Sequence, residues 1–258
     1  MQVRSAGWVT DLMVRRLAGS HVDDRGDHIV VSTPSNPNFW WGNFVLAGTD
    51  FGDAARWLDV FAAAHPGAAH VALGFDGGPV GDLAGYSDAG LEIDVSTVLT
   101  TSVLALPSGV PEVDCRALRG DADWAQALDL MLACNPPESD AEREFTERKA
   151  VEWRELTEQD SGSWFGAFVD GRMCASLGVL TDGGGVARYQ SVETHPDFRR
   201  RGLARALTAT AGNLMLRRDD VDVLVIVSDP EYHATMLYRS LGFADSDVQV
   251  QASRAGYR

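Results

Sequence analysis

Apolar residues recur along the chain with two different periods. Residues 53–64 carry them at helical spacing, through Ala54, Trp57, Leu58 and Phe61. The same period predicts helices at 9–17, 121–134, 139–156 and 203–215. Short alternating or uniformly apolar runs predict strands at 28–32, 39–46, 70–75, 91–106, 112–118, 163–169, 173–180, 186–194 and 221–227. Turn formers punctuate them. Thr33 to Asn38 holds two prolines and two asparagines, Asp170-Gly171 is a hairpin signal between two strand runs, and Asp182 to Gly185 makes the next turn. Asn135-Pro136-Pro137 ends a helix. Pro107-Ser108-Gly109-Val110-Pro111 is the best boundary, and divides the chain into 1–108 and 109–258. A β-meander followed by β-α-β-α-β order predicts a layered α/β (α+β) domain.

Composition narrows the chemistry. A chain of 258 residues with 45% hydrophobic residues can build a full core. Its net charge of −15 repels nucleic acid and anionic membrane, so neither is an expected partner. Lys149 is the only lysine. Cys115, Cys134 and Cys174 are widely spaced and odd in number, so neither a disulfide framework nor a metal site is expected. The start, Met1-Gln2-Val3-Arg4-Ser5, lacks an apolar leader, and the expected location is a reducing cytoplasm. No phosphate loop of the ATPase type and no Gly-x-Gly-x-x-Gly occurs, which argues against an ATPase and a nicotinamide enzyme.

One stretch carries a specific chemistry. Arg199 to Ala204 reads Arg-Arg-Arg-Gly-Leu-Ala, where the strand run 186–194 gives way to the helical run 203–215. The first N–H groups of a helix lack intrahelical partners and sit in a positive field. Gly202 lets a ligand approach the backbone, while Arg200 and Arg201 offer charge and donors for phosphate oxygens. Such a step is suited to a phosphate or pyrophosphate. Taken alone, an arginine run reads equally as a solvated face.

Val192-Glu193-Thr194-His195-Pro196-Asp197-Phe198-Arg199-Arg200-Arg201-Gly202-Leu203-Ala204 resembles the pyrophosphate-binding segment of the GNAT superfamily of N-acetyltransferases, Arg/Gln-x-x-Gly-x-Gly/Ala. Ala234-Thr235-Met236-Leu237-Tyr238-Arg239-Ser240-Leu241-Gly242-Phe243 resembles the same family's second signature, a short helix with Leu-Tyr closing on Leu-Gly-Phe. In that order, with a strand run between them, the two reinforce each other, and the resemblance covers about residues 112–258. It implies a mixed, mostly antiparallel sheet flanked by helices. The first half is similar to a smaller, degenerate copy: Gly52-Asp53-Ala54 lines up with Gly202-Leu203-Ala204, and Tyr86 with Tyr238. There Thr49-Asp50-Phe51 replaces the arginines, and Asp50 and Asp53 would repel a pyrophosphate.

The resemblance implies acetyl transfer from acetyl-CoA to a primary amine of a small molecule or peptide, without a metal, by a monomer or homodimer. It places the cofactor on Val192, Glu193, Thr194, Arg200, Arg201, Gly202, Leu203, Ala204 and Arg205. Tyr238 matches the tyrosine that protonates the leaving sulfur. Glu193 is the candidate base, or else alternation turns it toward an arginine as an ion pair. The apolar run 221–227 offers no carboxylate in its place, and Glu231 stands where the family often has Asn. The family's acceptor wall corresponds to 135–142, where Glu138, Asp140 and Glu142 either attract an amine or complement a helix dipole. Phe39-Trp40-Trp41 either closes that pocket or packs a core. A second reading remains open: a non-catalytic acyl-CoA-binding regulatory module.

Overall fold

Two parallel strand pairs, each joined by a crossover helix, organise the chain. The structure is a computed structural model and describes residues 1–77, 83–105, 113–231 and 234–255. The Pro-Gly boundary at 107–111 lies outside the described residues. The first half carries α1 (Ala6–Leu17), β1 (His21–Asp24), β2 (His28–Ser32), β3 (Phe44–Ala47), α2 (Ala54–Ala64), β4 (His70–Phe75), α3 (Ala84–Asp88) and β5 (Glu92–Thr101). The second carries β6 (Asp114–Ala117), α4 (Gly120–Cys134), α5 (Asp140–Glu158), β7 (Gly162–Val169), β8 (Arg172–Leu180), β9 (Gly185–Thr194), α6 (Leu203–Met215), β10 (Val221–Ser228), α7 (Ala234–Ser240) and β11 (Ala244–Ala255). The result is the mixed, mostly antiparallel, helix-flanked sheet the resemblance implies. The chain forms two compact units, Met1–Leu99 with Val227–Tyr232 and Asp245–Arg258, and Thr100–Ile226 with His233–Ala244.

In the first unit the strands run β1-β2-β3-β4-β11-β5. Parallel pairing of β3 with β4 buries both strands completely, which is why both read as continuous apolar runs rather than alternating ones. The antiparallel partner of β4 is β11, with Val250 opposite Phe75 and Ala255 opposite His70. Trp8, Phe44, Trp57, Phe61 and Phe75 fill this core.

Residues 39–46 do not form one strand. Trp40–Gly42 is a 3-10 turn, and β3 starts at Phe44. Asn43 is the cause. Its Oδ1 accepts the Thr33 N–H at 2.9 Å, and its Nδ2 donates to the Asn36 and Phe39 carbonyls, so the approach to β3 is a side-chain-organised loop. Trp40 stacks on His70 and Trp41 lies 6.3 Å from Trp8, so both rings pack the core of this unit.

In the second unit the order is β10-β9-β8-β7-β6. Asp170 and Gly171, both at positive φ, make the tight β7–β8 turn. Trp164 of β7 stacks on Trp153 of α5 at 4.3 Å and lies 6.1 Å from Trp124 of α4. Gly178, opposite Trp164 on β8, has no Cβ because one would run into that indole ring. Helices α4 and α5 therefore cover the face that carries Trp164. The opposite face meets α6, where the Tyr189 hydroxyl donates to the Thr208 carbonyl at 2.9 Å.

Candidate active site

The site is assembled where β9 changes partners. Its parallel ladder with β10 runs from Val221 opposite Gly185 to Val225 opposite Arg188 and ends there. Tyr189 to Thr194 continue, paired on the other edge with β8. On that edge Glu193 faces Ser176 and Gln190 faces Gly178, so Ser191 and Val192 together oppose Leu177. This is a β-bulge, and Ser191 sits at φ +46° within it. The extra residue exchanges the two faces beyond it. Glu193 consequently shares the face of Gln190 and Trp164 with α4 and α5, not that of Tyr189 with α6.

The Glu193 carboxyl is held from one side only. Oε1 accepts the Asn135 side-chain N–H at 2.7 Å, whereas Oε2 is buried with no hydrogen-bond partner among the described residues. Burial pushes its pKa up to about 7, an effect the Asn135 bond partly offsets. Its partner is an amide and not an arginine, so the ion-pair alternative does not describe it. Cys134 lies close by; burial first, and then the Glu193 charge, push its thiol up to about 11.

Asn135 ends α4 and begins the 135–142 segment that the resemblance makes the acceptor wall. It is the C-cap of α4, at φ −131° and ψ 78°, and the two prolines after it fix the direction of the chain. The rest of the loop is set from its far end. Ser139 caps α5 by accepting the Glu142 N–H, and the Glu142 carboxylate reaches back to the Glu138 N–H at 2.8 Å. Asp140 and Glu142 thus occupy the first turn of a helix, as the dipole reading expects. A cleft of about 330 Å³ opens between this loop, α4, α5 and Glu193.

Beyond Thr194 a short 3-10 turn, Pro196–Phe198, leads to the arginines. Arg199 Nε donates to the Thr194 carbonyl, and Arg201 lies 4.7 Å over the Phe198 ring while donating to the Asp197 carbonyl. Arg201 is thus folded back on the turn, and Arg200 stays exposed. Arg200 and Gly202 both adopt left-handed backbone, at φ +60° and +80°. That conformation is costly for Arg200 and turns successive N–H groups into a concave nest. Gly202 is the N-cap of α6 and supplies no side-chain cap, so the first N–H groups of the helix remain open beside Leu203, Ala204 and Arg205. Arg205 Nε is buried without a hydrogen-bond partner among the described residues. Such a set of donors can hold a multiply charged anion.

Tyr238 is 5% exposed on α7, with its ring 6.2 Å from Phe243. Phe243 also lies 5.9 Å from Tyr189, the first residue of β9 beyond the parallel ladder. Glu231 is exposed, its N–H bonded to Asp229. Among the described residues no helix is long and apolar enough to cross a membrane.

Residues 124–243 match the model of the Acetyltransferase (GNAT) family. No curated protein matches the chain. Among solved structures, a functionally unknown conserved protein of Staphylococcus epidermidis is similar, with a TM-score of 0.75 at 14% identity over 91% of this chain and 93% of that one. A GCN5-related N-acetyltransferase from Kribbella flavida gives 0.68 at 16% identity over 98% and 96%. A tandem GNAT protein from the clavulanic acid biosynthesis pathway gives 0.58 at 17% identity over 100% and 91%. The likeness in fold therefore extends across both halves.

Proposed function

Starting from a GNAT acetyltransferase domain at residues 124–243, we propose that the chain is an N-acetyltransferase that transfers an acetyl group from acetyl-CoA to a primary amine. When bound, acetyl-CoA supplies an acyl thioester, whose C–S bond breaks as the amide C–N bond forms, with release of the free thiol. The nest at Arg200 and Gly202, the open start of α6 through Leu203 and Ala204, and the orphaned Arg205 Nε fit its pyrophosphate. The edge of β9 at Val192, Glu193 and Thr194, beyond the end of the parallel ladder, offers backbone groups to its amide arm. A backbone N–H near Val192 can stabilise the developing oxyanion.

Two proton movements fall to side chains. Glu193 Oε2 takes a proton from the acceptor ammonium, directly or through water. A carboxyl with a pKa of about 7 is matched to that task at neutral pH. The Tyr238 hydroxyl returns a proton to the departing sulfur. The observation that carries the reading is the buried, unpaired Glu193 oxygen on the strand that leads into the open helix start. A module that only binds acyl-CoA has no use for a desolvated carboxyl there. The proposed setting is a reducing cytoplasm, where the three free cysteines stay thiols.

Thermal melting with CoA tests the cofactor, and thiol release across a panel of amines tests the chemistry. CoA at a hundredfold excess over its dissociation constant should stabilise by about 2.7 kcal/mol, roughly 5–10 °C in Tm. Acetate should do nothing. No shift with either CoA or acetyl-CoA overturns the proposal. A shift without thiol release from any amine points to the regulatory module instead.

A further inference from the structure

The cleft beside Glu193 has a lining that selects the acceptor. This rests on the acetyltransferase reading and adds the chemistry of the amine. Its walls are Met131, Pro136, Pro137, Phe145 and Trp153, all apolar side chains. Trp153 is held flat by its stack on Trp164, so it offers a rigid ring surface. Phe145 is 36% exposed on α5, an unusually open position for a phenylalanine.

The polar groups of the lining are few, and most are engaged. Glu142 accepts the Glu138 N–H, the Thr146 hydroxyl donates to the Glu142 carbonyl, and Lys149 pairs with Glu152 at 2.6 Å. Lys149 is already matched by Glu152, and Glu142 lies exposed at the rim, where water screens its charge, so discrimination falls to the apolar interior. In the interior of the cleft one strong acceptor has no hydrogen-bond partner among the described residues, the buried Glu193 Oε2. A ligand that enters must bring a donor to it and can bring little else that is polar. A hydroxyl placed against those rings would lose its water without a replacement partner, and Trp153, stacked on Trp164 and already carrying the Lys149 ammonium 5.5 Å over its ring, has little to offer a second ammonium.

We infer that the acceptor is a primary monoamine bearing a single ring-sized apolar group, with its ammonium on Glu193 Oε2 and its body against Phe145, Trp153 and Met131. The volume of about 330 Å³ suits one such group and lies at the small end of ligand pockets. Either a free amine or the N-terminal residue of a peptide can present this chemistry.

The test measures binding to the full chain saturated with CoA, by calorimetry and saturation-transfer NMR, using 2-phenylethylamine, phenylalanine amide, spermidine and glucosamine. The two ring amines should bind at least about tenfold tighter than the polyamine and the amino sugar, the discrimination an apolar pocket supplies. The tighter of the two ring amines identifies the source: phenylalanine amide a peptide N-terminus, 2-phenylethylamine a free amine. Phe145→Ala, at an exposed position that does not support the core, should weaken ring-amine binding about five- to tenfold and leave CoA affinity intact. Spermidine or glucosamine binding as tightly as the ring amines overturns the inference. So does a Phe145→Ala variant with unchanged ring-amine affinity. Either outcome leaves the acetyltransferase reading standing as long as CoA still shifts the melting curve; loss of that shift would instead remove the reading itself.

Discussion

The β3-α2-β4 and β9-α6-β10 crossovers share one topology and use it in opposite ways. Both pair parallel strands across a helix, and both follow an antiparallel neighbour. In the first unit the ladder stays closed to its end. Ala47 faces Phe75, and the Asp76 N–H adds one more bond to the Ala47 carbonyl. The Asp76 carboxylate, 1% exposed, then accepts the N–H groups of Arg4 and Ser5. Asp53 caps α2 by accepting the Arg56 N–H at 3.1 Å. Tyr86, the counterpart of Tyr238 by sequence, is fully buried and spends its hydroxyl on the Phe51 carbonyl. In the second unit the ladder stops early, Gly202 leaves α6 without a side-chain cap, and Glu193 and Arg205 hold buried atoms without hydrogen-bond partners among the described residues. At these matched positions the first unit satisfies its polar groups internally, although elsewhere in it Ser5 Oγ, His65 Nε2, Gln249 Oε1 and Arg254 Nε are buried with no hydrogen-bond partner among the described residues. At the matched positions the second unit leaves helix N–H groups, Arg205 Nε and Glu193 Oε2 open to a ligand.

The largest effect expected is on chemistry. Tyr238→Phe should lower the rate of acetyl transfer by about 10²–10⁴, or roughly 3–5 kcal/mol of transition-state stabilisation, with CoA affinity little changed. Tyr86→Phe should leave turnover intact and lower stability by about 1 kcal/mol, because the Phe51 carbonyl loses its donor. Single-turnover rates and urea melts separate the two. Unchanged turnover in Tyr238→Phe, where chemistry limits the rate, would make that ring another Tyr86.

Glu193 gives the second effect, in pH dependence. Its folded pKa of about 7 lies above the ordinary 4.5, so the folded chain holds the proton more tightly than the unfolded one. Stability from this group is fully present below about 4.5 and is lost as pH rises through 7. Glu193→Gln removes that dependence, so its stability relative to wild type should rise by order 3 kcal/mol from pH 4.5 to pH 8. Its transfer defect should shrink at high pH, where the acceptor amine deprotonates unaided. Parallel stability curves for the two proteins would mean that the carboxyl is solvated.

Much of this was legible in the residues, and the gaps have physical causes. Strands β2 and β4 and helix α6 fall where the periodicity places them, because their apolar positions and turn residues agree locally. The face of Glu193 stayed ambiguous because period-2 counting assumes an unbroken ladder, and the bulge at Ser191–Val192 adds one residue. The bond of Asn135 to Glu193 is not legible locally because it spans 58 positions; the sequence marks Asn135 as a helix end and the start of the acceptor wall, not as a partner of that carboxyl. β11 went unread because its stretch is mixed and polar, Ala-Asp-Ser-Asp-Val-Gln-Val-Gln-Ala-Ser-Arg-Ala, and its partner β4 lies in the other half of the chain. The loop before β3 looked like strand since its aromatics are core residues, and only Asn43's three hydrogen bonds reveal the turn.

A third effect, on affinity, contrasts the two helix starts. Gly202→Asp should weaken CoA about 100-fold by placing a carboxylate where phosphate oxygens would accept charge-assisted bonds. Gly202→Asn carries nearly the same volume, tolerates left-handed backbone and adds no charge, so it should retain most of the affinity. Gly52→Asp, where an added Cβ meets nothing within 4 Å, should leave CoA binding untouched. Equal losses from the Asp and Asn changes at 202 would assign the effect to shape rather than charge.

The smallest effect tests whether the first unit's cap is what closes it. Asp53→Ala removes the acceptor that holds the Arg56 N–H and should destabilise the chain by about 1 kcal/mol. Asp53→Asn keeps the cap geometry and removes the charge, so it should cost no more than a few tenths to 1 kcal/mol, the share due to the helix dipole. Neither change should alter CoA affinity, because Asp27 and Asp50 still line the cavity beside α2 and repel an anion there. Combining Asp53→Ala with Asp27→Asn and Asp50→Asn sharpens the point: it opens the helix start and removes the local repulsion at once. If calorimetry then finds a second CoA-binding event, the uncapped helix start and its charge suffice to make a site. If it finds only one, the closed Ala47–Phe75 ladder and the Asp76 contacts with Arg4 and Ser5 are the stronger barrier, and the early end of the β9–β10 ladder is what separates the two units.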